Sequence, residues 1–178
     1  MADANINHQD ARDYWQGIDA DVNGMLGGFP YISKVDLQGK TVDIVEPISK
    51  FSDALKNKPV IGVIYNVGLE SWSPPSSTKY DLIWNQWCLG HLTDAQLIEY
   101  LKKCGKALKE RGMVVVKENL STRGEDIFDE LDSSVTRCDE KLRDIFEKAG
   151  LRIKKTEIQK GLPKELYPVR IYALVPKV

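Results

Sequence analysis

The sequence is poor in features that would point to several classes of protein. Its three cysteines, Cys88, Cys104 and Cys138, are scattered and lack metal-ligand spacing, which argues against a disulfide framework and indicates a reducing compartment. No apolar run approaches the roughly 20 residues of a membrane-spanning helix, and the polar first residues are not a signal peptide. We therefore expect a cytoplasmic protein, with the nucleus as an alternative location, and no membrane contact.

The chain also lacks a strong charge of either sign. Its 25 basic and 26 acidic residues give a formal net charge of −1, so composition offers no basis for nucleic-acid binding. A hydrophobic content of 42% in 178 residues is ordinary for one globular domain. We predict a single domain over 1–178, with a helix and a glycine-containing segment at 1–38 and an α/β core at 39–178.

Glycine-rich nucleotide-binding turns are absent as well. No two of the 13 glycines are separated by one residue, so the chain has no G-x-G and a dinucleotide-dependent hydride transfer is disfavoured. What the chain does contain is an alternation of apolar runs and amphipathic stretches. Strands are predicted at 41–46, 60–66, 80–85, 113–117, 151–159 and 169–175, and helices at 8–22, from residue 47 or 48, at 93–110 and at 136–149. This order predicts a doubly wound α/β sheet that closes with an antiparallel pair.

The most informative stretch is YDLIWNQWCLGHL, which begins at Tyr80. We interpret it as a buried strand followed by a turn and a helix. Because ligands bind just past the carboxyl ends of strands in open α/β sheets, an amide, an indole and an imidazole at this place suggest a site. The alternative is that Trp87 belongs to the core and that His91 is a hydrogen-bonding residue at the start of the helix.

WNQWCLGHLTD also resembles the motif that follows a strand in the protein N-terminal α-amine methyltransferases, which use S-adenosylmethionine (SAM). Four further segments agree with this family, in its order: YWQGIDADVNGMLGGF, VVVKEN, DELDSSVTR and LPKELYPVRIYAL. The resemblance implies the Rossmann-like fold of class I SAM-dependent methyltransferases, with an N-terminal helical lid. It implies that protein substrates begin X-Pro-Lys after removal of the initiator methionine, with ribosomal proteins among them.

One part of the family pattern is missing. The family places a strand, an aspartate–glycine–glycine turn with an arginine, and a helix between its VDLQ and VDIVEP segments. In this sequence Gln38 is followed by Gly39 and Lys40 and then almost directly by Val42. The resemblance therefore implies a truncated sheet, whose two inner edges must either pair with each other or stay open, and the loss of the residues that clamp the SAM amino-acid group.

The resemblance assigns roles to residues at the matching positions. Asp132 and His91 would act as general bases that take the proton from the acceptor amine. The substrate would contact residues in the lid, after the third strand, at the end of the fourth strand, in an acidic stretch at 125–132 and just after that stretch, namely Trp15, Leu26, Gly27, Trp87, Asn119, Asp129 and Ser134. The surviving cofactor contacts would be Glu46, Leu69, Glu70 and Gln86, and no metal is implied.

Two alternatives stand beside this interpretation. The chain could be a catalytically inactive paralogue that binds N-terminal peptides or regulates a complete enzyme. The acidic stretch at 125–132 could attract a basic peptide, or it could be a solvated loop. A small-molecule methyltransferase is disfavoured, because the resemblance covers the segments that recognise peptides. The sequence gives no indication of an oligomeric state.

Overall fold

The computed structural model describes residues 1–19, 41–163 and 165–177. Its helices are α1 (His8–Gly17), α2 (Ser49–Asp53), α3 (Asp94–Lys106) and α4 (Asp139–Lys148), with 3-10 turns at Ala2–Asn5 and Leu89–His91. Its strands are β1 (Val42–Val45), β2 (Ile61–Tyr65), β3 (Tyr80–Gln86), β4 (Leu108–Asn119), β5 (Ile127–Asp129), β6 (Ser134–Thr136), β7 (Leu151–Ile158) and β8 (Val169–Pro176). In the described part, no helix is both long and apolar enough to span a membrane.

The strands form three sheets. β1 and β2 form a parallel pair, β3-β4-β8-β7 form a mixed sheet in that order, and β5 and β6 form an antiparallel hairpin. β3 runs parallel to β4, whereas β8 runs antiparallel to both of its neighbours. The predicted antiparallel closing pair is therefore confirmed, and so is the alternation of parallel strands with helices.

The chain divides into two compact units. The larger unit comprises Met1–His8 and Ser73–Val178, and the smaller one comprises Gln9–Trp72. The smaller unit contains the β1–β2 pair, and the larger contains the four-stranded sheet and the hairpin. Among the described residues no ladder joins β1 to β3, so β3 is an edge strand of its sheet.

Helix α3 begins where the sequence provides a reciprocal cap. The side chain of Thr93 accepts a hydrogen bond from the Gln96 amide, and the side chain of Gln96 accepts one from the Thr93 amide at 3.0 Å. This capping box satisfies two amide groups that the first helical turn leaves without partners. Leu97, Leu101 and Cys104 then point into the core, as their spacing predicts.

The end of α3 differs from the prediction. We expected the helix to continue to about Glu110 and to close at Gly112, but it ends at Lys106 and Gly112 lies within β4. A Cβ at Gly112 would lie 2.7 Å from the carbonyl oxygen of Tyr80. The glycine is therefore required where β4 passes close to the start of β3, rather than as a helix cap.

The core of the larger unit lies between the four-stranded sheet and its two helices. Phe146 of α4 meets Tyr172 of β8 edge to face, with ring centroids 5.1 Å apart. The helix predicted from Thr136 begins at Asp139 instead, because Thr136 belongs to β6. Gly150, which has a φ of +74°, follows the helix and lets the chain turn into β7.

Candidate active site at the strand ends of the larger unit

Trp87 follows β3 in a backbone conformation that tryptophan rarely adopts. Its φ is +52°, in the left-handed region, while its amide still donates to the Lys117 carbonyl at 3.1 Å. Conformations of this kind cost free energy and persist where the surrounding structure enforces them, often at functional sites. The strain turns the chain out of the sheet immediately after Gln86.

Glu118 fixes the residues that follow Trp87. Its carboxylate oxygen Oε1 accepts hydrogen bonds from the amides of Cys88 and Leu89, each at 3.0 Å. Burial raises the pKa of the Glu118 carboxyl from 4.5 to about 7, although both amide bonds and the charge of Arg137 act in the opposite direction. The turn after β3 is thus anchored to the end of the adjacent strand β4.

Arg137 holds the same turn from the other side. Its guanidinium donates to the carbonyl oxygen of Leu89 at 3.1 Å, to that of Leu92, and to Asp94 at 2.9 Å. Only 3% of Arg137 is exposed, so these bonds satisfy a charge that would otherwise be very costly to bury. The backbone around His91 is therefore fixed at both of its ends.

The β5–β6 hairpin packs against this turn. A Cβ at Gly90 would lie 3.2 Å from the carbonyl oxygen of Val135 and 3.3 Å from the Cβ of Ser134. Ser133 precedes β6 with a φ of +54°, and its hydroxyl accepts a hydrogen bond from the Asn7 amide at 2.7 Å. The packing places the turn that carries His91 against the hairpin.

The indole nitrogen Nε1 of Trp87 and the carboxylate oxygen Oδ1 of Asp132 are buried polar atoms of this region that have no hydrogen-bond partner among the described residues. Buried polar groups are nearly always paired, so a donor and an acceptor left unsatisfied in one region point to a ligand. We call six residues at the ends of β3 and β4, in the turn after β3 and in the hairpin packed against that turn the strand-end cluster: Trp87, His91, Lys117, Asn119, Asp132 and Ser134.

Lys117 belongs to this cluster although the sequence prediction missed it. Its ammonium lies 4.9 Å from the centre of the Trp87 ring, and the residue is only 6% exposed. Burial lowers the pKa of the Lys117 ammonium. No salt bridge between Lys117 and a described acidic residue offsets this effect. A lysine inside the apolar run VVVKEN is the signal that could have revealed it.

The structure changes the interpretation of Asn85, an amide of the YDLIWNQWCLGHL stretch, and of the acidic stretch at 125–132. Asn85 is core rather than site, because its side chain accepts from Tyr100 at 2.7 Å and donates to the Val115 carbonyl at 3.1 Å. The acidic stretch at 125–132 contains strand β5 instead of forming only a loop. Within it, Asp129 accepts a hydrogen bond from the Leu131 amide at 2.9 Å.

The predicted cofactor residues lie mainly in the smaller unit. Glu46 follows β1, and its carboxylate accepts the Ile48 amide at 2.8 Å, while burial raises its pKa. Glu70 lies 3.5 Å from the guanidinium of Arg12, and Leu69 precedes it in the segment after β2. Gln86 is at the end of β3 in the larger unit, where its side chain accepts from the Trp84 indole at 3.2 Å.

The other predicted substrate residues lie in different parts of the chain. Trp15 lies on α1 in the smaller unit, with its ring edge to face against Phe51 at 6.4 Å. Leu26 and Gly27 lie outside the described residues, so their roles stay predictions. Asn119 ends β4 and Ser134 begins β6, and their roles toward a substrate stay predictions.

The described residues fit the ribose of SAM. Glu46, a carboxylate just after a parallel strand with one oxygen engaged by a backbone amide, suits the two ribose hydroxyls. No described residue supplies a glycine-rich turn for the amino-acid half, and the sequence has no G-x-G elsewhere. The described residues therefore offer a group for the ribose of the cofactor and no glycine-rich turn for its amino-acid end.

The parallel strands with intervening helices, the antiparallel closing strands and the strand-end site define a class I SAM-dependent methyltransferase fold. A SAM-dependent methyltransferase from Leishmania major superposes with a TM-score of 0.80 and 28% identity, covering 93% of this chain and 82% of that chain. A SAM-dependent methyltransferase from Clostridium acetobutylicum shares the fold at 12% identity, with a TM-score of 0.60 over 98% of this chain and 94% of its own.

The sequence comparisons specify the family. The model of the AdoMet dependent proline di-methyltransferase family matches residues 3–42 and 40–175, so the chain belongs to this family. Alpha N-terminal protein methyltransferase 1 of Schizosaccharomyces pombe is 39% identical over 95% of this chain and 96% of its own length. N-terminal Xaa-Pro-Lys N-methyltransferase 1 of Xenopus tropicalis is 30% identical over 92% of this chain and 93% of its own. The family and the class predicted from the sequence are confirmed.

The same comparisons locate the missing part. The two segments matched by the family model meet at residues 40–42, where the family pattern is interrupted. The alignment with the Schizosaccharomyces pombe protein spans 214 positions, while this chain has 178 residues, so at least 36 of those positions have no counterpart here. This relative is thus longer than the present chain over the aligned region.

Proposed function

We propose that this chain methylates the α-amine of proteins that begin X-Pro-Lys, with SAM as the methyl donor. The names of its relatives support this activity, and so does the arrangement of the strand-end cluster. The observation that carries the proposal is the buried oxygen Oδ1 of Asp132, which lacks a hydrogen-bond partner among the described residues. An unsatisfied carboxylate oxygen is suited to accept an N–H group of an amine.

The acceptor amine must lose a proton before it can react. An α-amine has a pKa of about 7.7–8.0, so a nearby base needs to supply only modest help. Asp132 is the first candidate for this base, and His91, on the turn that packs against the hairpin, is the second. When bound, SAM supplies an electrophilic methyl group, and the residues of this chain hold the amine in line with it.

Recognition of the second and third substrate residues follows from the same cluster. The flat indole of Trp87 suits the rigid ring of a proline. Because the ammonium of Lys117 lies over one face of this indole, we propose that the proline uses the other face. Asn119 would anchor the first substrate residue, and Asp129 with Ser134 would receive the lysine.

A peptide-binding function without catalysis is the second candidate. It is favoured by one observation, namely that the described residues match only the ribose end of the cofactor. In that case the strand-end cluster would bind the same N-termini but transfer no methyl group. Glu46, Leu69, Glu70 and Gln86 would then be remnants of a cofactor site.

The deciding experiment measures cofactor binding and catalysis separately. The purified protein is titrated with SAM by calorimetry, and an X-Pro-Lys peptide is then assayed for N-terminal methylation by mass spectrometry. The N-acetylated peptide is the control, since it has no free α-amine. Ribosomal proteins with this N-terminal sequence are the natural substrates we propose to test first.

The outcomes distinguish the enzyme from the peptide-binding module. SAM binding with methylation of the free peptide but not the acetylated one supports the enzyme. Peptide binding without SAM binding supports the binding module and refutes the enzyme. Binding of neither SAM nor peptide, by protein that still unfolds cooperatively, refutes both.

A further inference from the structure

Strand β3 leaves one side of the four-stranded sheet open. Among the described strands it pairs only with β4, along Tyr80–Gln86. Leu82 and Trp84 are each 48% exposed, and because they are two residues apart they lie on one face of the strand. An edge strand with large exposed apolar side chains is a template for pairing with another chain.

The direction of the backbone amides and carbonyls of β3 shows which hydrogen-bonding groups lie on its unpaired side. The amide of Trp87 donates to Lys117 on β4, and alternate residues of a strand point their backbone groups in opposite directions. The amides and carbonyls of Leu82, Trp84 and Gln86 therefore point away from β4. The open side presents both donors and acceptors, which is what a further strand requires.

The other edge of the same sheet is protected by charge. Strand β7 carries Arg152, Lys154, Lys155 and Glu157 among its eight residues. Strand β3 carries a single charge, Asp81, among seven residues. Since charged side chains, above all lysine, are the usual means of preventing edge pairing, β3 is the edge that can accept a strand.

We propose that β3 pairs antiparallel with β3 of a second copy of this chain, about a two-fold axis at Ile83. In this register Leu82 lies opposite the partner's Trp84, and Trp84 lies opposite the partner's Leu82. Asp81 lies opposite the partner's Asn85, so no two like charges face each other across the ladder. The inference rests on sheet topology and sequence register, and it is independent of the proposed activity.

This arrangement is closed and buries the exposed apolar residues. Each copy contributes the same strand, so the contact is isologous and ends at two subunits. The two four-stranded sheets become one continuous sheet of eight strands. Pairing removes Leu82 and Trp84 of both copies from water, and with them the backbone groups on the unpaired side of β3.

The first test is the oligomeric state of the full chain over a concentration series, by sedimentation equilibrium. The wild-type chain is expected to be a dimer, and Trp84→Lys is expected to raise its dissociation constant by about tenfold or more, since a charge replaces an apolar cross-strand contact. Leu131→Lys is the matched control, because Leu131 is 70% exposed and lies in the turn between β5 and β6 rather than on β3. Its dimer should be as stable as the wild type.

A charge pair tests the register itself. In the double variant Leu82→Glu/Trp84→Lys, the introduced charges of opposite sign face each other across the two-fold axis. This variant should dimerise more strongly than Trp84→Lys alone, whereas a different register would not rescue the dimer. Failure of the rescue overturns the proposed register.

Cross-linking provides a test that does not depend on affinity. At the two-fold axis the Ile83 residues form a non-hydrogen-bonded pair, whose Cα atoms lie about 4.5 Å apart in such ladders, within the range of a disulfide. In a background with Cys88→Ser and Cys138→Ser, Ile83→Cys should oxidise to a covalent dimer and Leu82→Cys should not. A wild-type monomer up to the solubility limit, open-ended aggregates, or equal cross-linking of both variants would overturn the proposal.

Discussion

The ammonium of Lys117 lies 4.9 Å from the centre of the Trp87 ring, at the point where β3 and β4 end side by side. This contact joins a buried charge to an indole whose own nitrogen has no partner among the described residues. A cation–π contact of this kind contributes about 0.5–2 kcal/mol, less than the usual cost of burying an unpaired charge. The contact between Lys117 and Trp87 therefore holds the geometry of the site at a net cost in folding stability.

Replacing Lys117 by methionine should stabilise the protein. The variant Lys117→Met keeps most of the side-chain volume and removes the buried charge, so the free energy of unfolding should rise by about 1 kcal/mol at neutral pH. Urea denaturation measures this change. Lys155→Met, at a lysine whose side chain is 77% exposed, is the control and should change little. A less stable Lys117→Met would mean that the contact with Trp87 outweighs the cost of burial.

Asp132→Asn should reduce methylation without unfolding the protein. The amide has nearly the same shape but cannot act as a base, so the rate at saturating peptide should fall by about 100-fold or more. Asp129→Asn is the comparison, because it should raise the KM for the peptide and leave the rate at saturation largely intact. Steady-state kinetics on both variants separates the two roles. An unchanged rate in Asp132→Asn would assign the base elsewhere, with His91 next.

Much of this architecture could be predicted because the relevant signals are local. The apolar runs identified β1, β2 and β3, and the cap at Thr93 identified the start of α3. The error at Gly112 arose because a glycine after an amphipathic run resembles a helix cap, whereas its true role is a close approach to Tyr80 that is distant in sequence.

The site was only partly predictable, for a related reason. Roles for Trp87, His91 and Asp132 were predicted through the resemblance, and the structure brings together the segments that carry these residues. Lys117 and Arg137 were missed because a charged residue in a sequence normally indicates an exposed surface. Their burial depends on partners 30 or more residues away in the chain, such as Trp87 and Leu89 respectively. The short strands of the β5–β6 hairpin, of three residues each, carry too little periodicity to be recognised.

Glu118 should make stability depend on pH. Burial raises its pKa to about 7, so the folded protein holds this proton more tightly than the unfolded chain does. Its contribution to the free energy of unfolding is therefore present below about pH 4.5 and is lost as the pH rises to 7, by up to about 3 kcal/mol. Glu118→Gln keeps an acceptor for the Cys88 and Leu89 amides but does not titrate.

The measurement compares urea midpoints of the wild type and Glu118→Gln at pH 5 and pH 8. The variant should be more stable relative to the wild type at pH 8 than at pH 5. Glu110→Gln, at an exposed glutamate, is the control and should follow the wild type at both values. Parallel pH profiles for Glu118→Gln and the wild type would contradict the assignment.

Arg137→Leu should be among the most damaging single substitutions in the larger unit. The guanidinium donates to the carbonyls of Leu89 and Leu92 and to Asp94, and its side chain is 2% exposed. Leucine would remove this donor from both buried carbonyls, and only that of Leu89 would still accept the Leu92 amide at 3.2 Å. Asp94 would keep its ion pair with Lys141 at 3.0 Å. Loss of such a buried network costs about 3–5 kcal/mol.

Urea denaturation of Arg137→Leu and Arg143→Leu tests this expectation. Arg143 lies on α4 with a side chain 42% exposed and an ion pair to Asp139, so its loss should cost less than about 1 kcal/mol. If Arg137→Leu proves too unstable to purify, Arg137→Lys, which keeps the charge but cannot make all three bonds, should show an intermediate loss. Equal stability of Arg137→Leu and Arg143→Leu would mean that the turn around His91 is held by Glu118 alone.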